Sequence, residues 1–198
     1  IYNQATLNLT AASGKTISFT GTITDASTAA GTTTVTGPGT VTFGGAVTQK
    51  TITVNSGVAN FNGVTTSTDM TNAGTVNVGA SNLKVTNAVN NKGTMNLSAG
   101  TLTTAINDTQ STKTGVVNFL SGTSTNSAAI TQKTVTNAAT LTNTGTITAA
   151  ITNTGTITSS ASNLVGAITN SGTLNLNAGS VQGIARSEER FSRNAETD

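Results

Sequence analysis

Apolar residues in this chain fall on every second position, in short runs closed by turn residues. Thr6-Leu7-Asn8-Leu9-Thr10 is one such run, and Thr16-Ile17-Ser18-Phe19-Thr20 with Gly21-Thr22-Ile23-Thr24 is another. A two-residue period is that of a β-strand with one face buried. The punctuation supports strands too. Gly37-Pro38-Gly39, Gly44-Gly45 and Asn55-Ser56-Gly57 each interrupt a run. Proline fixes its own φ and has no N–H, and glycine permits positive φ, so each predicts a turn.

The runs repeat. Asn143-Thr144-Gly145-Thr146-Ile147-Thr148 returns as Asn153-Thr154-Gly155-Thr156-Ile157-Thr158. Looser copies begin at Asn72, Asn91 and Asn170. Turn glycines recur at Gly57, Gly74 and Gly93, and again at Gly155 and Gly172, with Ala139 in the glycine slot before them. A period of roughly 17–20 residues, made of short strands and tight turns, is that of a solenoid. Three strands and three turns fill one coil. The fold class read from the pattern is therefore all-β, a parallel β-helix over residues 1–185, with roughly nine coils stacked at about 4.8 Å. Val76, Val78, Met95, Leu97, Ile147, Ile157, Leu174 and Leu176 are expected inside, with Thr, Asn and Ser outside. Asn is expected at corners, where it tolerates left-handed angles and stacks along the axis. A helical alternative fails because Thr, Asn and Gly are poor helix formers and no 3.6-residue apolar period occurs.

Composition narrows the chemistry. Of 198 residues, 8% are charged and 3% aromatic, with no Cys and no His. Disulfides, Cys/His metal sites and His-based triads are thereby excluded. Before residue 186 the only charged side chains are six Lys and three Asp, a net +3. Asp25, Asp69 and Asp108 lie coils apart, too far for paired acid–base work, and are expected to be solvated turn residues. No glycine-rich phosphate loop precedes a helix. With no Arg and no basic cluster, nucleic acid is not an expected partner. The expectation is of no enzyme, and of no catalytic, cofactor-binding or metal residues.

Thr-x-Thr pairs recur at Thr22/Thr24, Thr40/Thr42, Thr51/Thr53, Thr101/Thr103, Thr134/Thr136, Thr146/Thr148 and Thr156/Thr158. Both hydroxyls of a pair project from one face. Ice-binding solenoids use flat rows of Thr. Here Asn77, Asn96 and Asn175 are expected to interrupt the row, and Thr is in any case the best soluble strand former. Ice binding and polysaccharide processing are the two alternatives to a structural role.

The last stretch, Arg186 to Asp198, holds every Arg and every Glu of the chain. Such a shift marks a boundary. The string resembles the translation of a common short-read sequencing adapter and is expected to be a non-native tail. Ile1 runs straight into strand-like sequence, which predicts an internal fragment.

Gly37-Pro38-Gly39-Thr40-Val41-Thr42-Phe43-Gly44-Gly45, then Lys50-Thr51-Ile52-Thr53-Val54, then Asn55-Ser56-Gly57-Val58-Ala59-Asn60-Phe61 resembles the passenger-associated repeat of Gram-negative autotransporters. The loop between its strands is shorter than usual and lacks the common Tyr-x-Gly-Gly. The Asn-x-Gly-Thr coils downstream are similar to the stalks of the same family. The resemblance implies a right-handed β-helix, an adhesin-like surface or extracellular location, an unknown host or cell-surface ligand, and a C-terminal outer-membrane β-barrel translocator not contained in this sequence.

Overall fold

A computed structural model describes residues 1–25, 30–159, 164–177 and 181–182. The 186–198 tail lies outside them. Parallel strands stack as a β-solenoid of about eight turns, one fewer than the repeat length predicts. Coil length varies. Asn137 meets Asn153 sixteen residues on, Asn96 meets Asn118 at twenty-two and Thr10 meets Thr36 at twenty-six. The longer coils carry loops that use up sequence without adding a turn.

Each coil has three faces. Face 1 is built from Thr6–Thr10, Thr32–Thr36, residues 51–54 and 69–72, Val89–Asn91 and Ile106–Asn107, and continues through 130–131, 147–148 and Leu164–Val165. Face 2 runs from Thr16–Phe19 through Thr40–Phe43, Val58–Phe61, Thr75–Gly79, Thr94–Ser98 and Val116–Phe119 to residues 134–137, 150–153 and Ile168–Asn170. Face 3 takes residues 47–49 and 65–67 and Leu83–Val85. It resumes as a separate five-stranded sheet from Gly100–Leu102 to Thr173–Leu176. The hydroxyl of Thr104 bridges the two parts, donating to the Leu83 carbonyl at 3.0 Å and accepting from the Val85 N–H at 3.3 Å.

The alternating pattern holds at atomic level. Val76, Val78, Met95, Leu97, Ile147 and Ile157 are all buried. Leu174 is only partly covered and Leu176 is 42% exposed, because no further strand is paired above theirs among the described residues. On face 2 the rings of Phe19, Phe43 and Phe61 stack, with centroids 5.7 and 4.8 Å apart. Offset stacking of this kind adds about 1 kcal/mol to the burial of each ring.

The corners correct one expectation. Asn at a strand end turns its amide inward and is buried. Asn137 donates to the Ala139 carbonyl at 2.9 Å, to Asn153 Oδ1 at 2.8 Å and to the Thr156 carbonyl at 3.1 Å, and it accepts from the Ala139 N–H. Asn153 repeats this against Asn170. The corner Asn is thus a buried connector. It supplies partners to turn groups that would otherwise be desolvated at a cost of about 1–3 kcal/mol each.

The solenoid also contains a duplication longer than the coil. Thr48-Gln49-Lys50-Thr51-Ile52-Thr53 returns as Thr131-Gln132-Lys133-Thr134-Val135-Thr136, and Asp25 returns as Asp108, both 83 residues on (132 − 49 and 108 − 25). The local structures share their loop-closing hydrogen bonds. Asp25 Oδ2 accepts from the N–H groups of Ala30 and Gly31 at 2.8 and 2.6 Å; Asp108 Oδ2 accepts from Thr114 and Gly115 at 2.6 and 2.9 Å. Asn3 donates to Gln49 Oε1 at 2.6 Å and the Thr32 carbonyl at 3.1 Å; Asn91 donates to Gln132 Oε1 at 2.7 Å and the Val116 carbonyl at 3.1 Å. Gly31 and Gly115 sit where a Cβ would strike the Asn3 or Asn91 carbonyl and the Gln amide. Yet Gln49 lies on face 3 and Gln132 extends the face 1 strand. The repeat spans four turns plus one face, so the second copy is rotated about the axis by one face. That rotation explains why the turn glycines form two stacks. Gly57, Gly74 and Gly93 pack on one another between faces 1 and 2, and Gly155 and Gly172 do so between faces 2 and 3.

Candidate interaction surfaces

The three sequence-identified carboxylates do not form a site. Asp69 is exposed on face 1 and accepts from Asn87 Nδ2 at 2.7 Å. Asp25 and Asp108 are 6% and 2% exposed, so they are not the solvated turn residues expected from sequence. Each closes a loop by drawing two backbone N–H groups onto one oxygen. Burial pushes the Asp108 carboxyl up, but hydrogen bonds from Gly115, Gln110 and Thr114 outweigh it and hold the group below the ordinary carboxylate range. Among the described residues no group of three His, Cys, Asp or Glu could hold a metal.

Two outward surfaces are ordered beyond what solubility needs. They occupy corresponding places in the two copies of the duplication. On face 2, an amide ladder climbs the outside of the solenoid. Asn118 donates to Asn96 at 2.8 Å, Asn96 to Asn77 at 2.7 Å, Asn77 to Asn60 at 2.7 Å and Asn60 to Thr42 Oγ1 at 3.1 Å. All bonds point the same way, so the amides polarise one another. A primary amide has two N–H groups and two lone pairs, and the ladder uses one of each. Asn77 and Asn96 therefore keep a donor and an acceptor for solvent or ligand.

A groove of about 270 Å³ lies beside this ladder, where face 2 turns toward face 3. Asn60, Asn77, Asn82, Asn96 and Ser98 line it, and Leu120, 51% exposed, forms an apolar lip. The short 3-10 turn Ala80–Asn82 makes one wall. Gly79 forms part of the floor with φ −67° and ψ 134°, angles open to any residue. A Cβ there would come within 3.2 Å of Asn82 Nδ2 and 3.6 Å of Ser98 Oγ. Glycine is thus not required by the backbone at this position; its effect is to keep the groove open.

On face 3 the rotated copy presents hydroxyls. Thr123, Thr140, Thr156 and Thr173 form one row, and Thr101, Thr125, Thr142 and Thr158 form the next, with Asn175 ending it. Rows lie about 6.8 Å apart along the strands and rungs about 4.8 Å apart between coils. Asn77 and Asn96, expected to interrupt a Thr row, stand on face 2 and leave this one intact. The Thr-x-Thr pairs themselves divide among faces: Thr40/Thr42 and Thr134/Thr136 on face 2, Thr51/Thr53 on face 1, Thr156/Thr158 on face 3.

No protein-family model matches the chain, and no curated protein or solved structure matches it either.

Proposed function

We propose that this chain is a rigid, non-catalytic stalk segment of an exported, adhesin-like bacterial surface protein of the autotransporter passenger type. The observation that carries the reading is the coil-to-coil strand pairing, which runs from Thr6–Thr10 to Leu164–Val165 on face 1 and from Thr16–Phe19 to Ile168–Asn170 on face 2. Each coil bonds its neighbours along the axis, which gives a stiff rod with a continuous core and a hydroxyl- and amide-rich surface carrying few charges. The passenger-like repeat over residues 37–61 supports it: its three strands occupy faces 2, 1 and 2 of consecutive coils. Such a rod holds an adhesive region away from a membrane without chemistry of its own. A read of the parent gene past the codon for Ala185 tests this. The expected result is further Asn-x-Gly-Thr coils leading into alternating strands of about ten residues, those of an outer-membrane barrel. A frame that ends without such strands overturns the assignment.

The Thr lattice on face 3 favours a second reading, a secreted ice-binding solenoid. Thermal hysteresis of the full chain, abolished by Thr142→Lys in the centre of the lattice, is its expected signature. Freezing behaviour equal to that of a non-binding protein at the same concentration removes it.

A further inference from the structure

We propose that the groove beside the face 2 amide ladder binds a neutral oligosaccharide, with Asn77, Asn82 and Asn96 as the principal hydrogen-bonding groups. The proposal rests on the stalk reading only for its setting, since a surface rod meets extracellular glycans; the binding itself is a property of this chain. The site's chemistry selects the ligand class. Its polar lining consists of carboxamides and one hydroxyl, without a charged side chain, so neither an anion nor a cation finds a counter-charge. The backbone at this level is committed to the coils above and below, so a peptide strand cannot add by main-chain pairing. What remains on offer is side-chain amides that each present a donor beside an acceptor, and this suits vicinal hydroxyls.

The geometry carries it further. The amide rungs repeat at about 4.8 Å along the axis, close to the advance of one pyranose ring in an extended glycan. A chain laid along the axis therefore meets an amide at successive residues. The Leu120 lip, with the covered edges of Phe61 and Val78 beneath, gives an apolar patch for the C–H face of a sugar ring. The Asn62 and Asn82 side chains make no hydrogen bond among the described residues. Asn82 is nevertheless half-buried, on a wall above a glycine whose backbone does not demand glycine. On face 3 the strands that correspond to this surface carry Thr142 and Thr158 in place of Asn60 and Asn77.

The test is a titration of the full, isotope-labelled chain with neutral tetrasaccharides of glucose, mannose and N-acetylglucosamine, and with tetragalacturonate as an anionic comparison. Side-chain amide NMR signals are followed. The expected result is that at least one neutral probe shifts Asn77, Asn82 and Asn96 while leaving Asn175 on face 3 in place. Gly79→Leu, which fills the floor, is expected to weaken that binding by about ten-fold or more. Asn82→Ala, which alters no strand, is expected to weaken it as well, and the backbone spectrum reports that each variant is folded. Absence of shifts with every neutral probe overturns the proposal. So do shifts spread equally to Asn175, equal binding of tetragalacturonate, or a folded Gly79→Leu or Asn82→Ala that binds like the parent. None of these results bears on the stalk reading, which the parent gene decides.

Discussion

The two copies of the 83-residue unit keep the same loop closure and fill the same interior slots differently. Both close a loop on Asp, Asn and Gln with matching hydrogen bonds. But where the first copy stacks Phe43 on Phe61, the second carries Asn126 and Asn143, joined by a 2.7 Å amide bond. Where the first has Val54, the second has the corner connector Asn137, with Asn153 as the next rung. The outside diverges in parallel: an amide ladder in one copy, Thr rows in the other. A solenoid slot is thus specified by size and by whether its partners one coil away are of the same kind. Aromatic on aromatic and amide on amide both satisfy it, because every side chain meets its own equivalent at strand spacing.

Mixing the two solutions in one slot should cost most. Phe43→Asn leaves a carboxamide between Phe19 and Phe61, and a loss of about 4 kcal/mol is expected in denaturant unfolding. Phe43→Asn with Phe61→Asn restores a like-on-like pair, so the double variant should lose less than the sum of the singles. Additive losses would refute the stacking rule. Asn137→Val copies the Val54 solution into a corner that lacks its setting. It strips partners from Asn153 and from the Ala139 and Thr156 backbone groups, with an expected loss of about 3 kcal/mol.

The conserved element should respond alike in both copies. Asp25→Asn and Asp108→Asn each replace a charged acceptor of two backbone N–H groups by a neutral one, at about 2 kcal/mol. For Asp108 the sign with pH follows from its lowered pKa. The stabilisation is full at neutral pH and is lost as pH falls through the folded-state pKa, below the ordinary carboxylate range. Thermal midpoints from neutral to strongly acid pH should show a drop that Asp108→Asn lacks. The smallest effect is outside: Asn77→Thr, which writes the second copy's surface onto the first, should change stability by less than about 0.5 kcal/mol. A larger loss would mean that the outer ladder is part of the framework.

Local pattern was enough for much of this. The two-residue period placed Val76, Met95 and Ile157 inside because each strand carries its own alternation, and the Asn-x-Gly turns marked the corners. Other features depend on which coils become neighbours. Asp25 and Asp108 read as ordinary turn carboxylates; only the return of the chain six or seven residues later brings Gly31 and Gly115 onto them. The Asn77 ladder and the Thr142 row read as one interrupted stripe. They separate because the loops shift the coil phase, so equivalent strands land on different faces. Alternation and turn chemistry lie within a few residues of one another, and sequence alone determines them. Phase around the axis accumulates through every loop, and only the folded stack decides which Asn meets an Asn, which Thr meets a Thr, and where a groove is left between them.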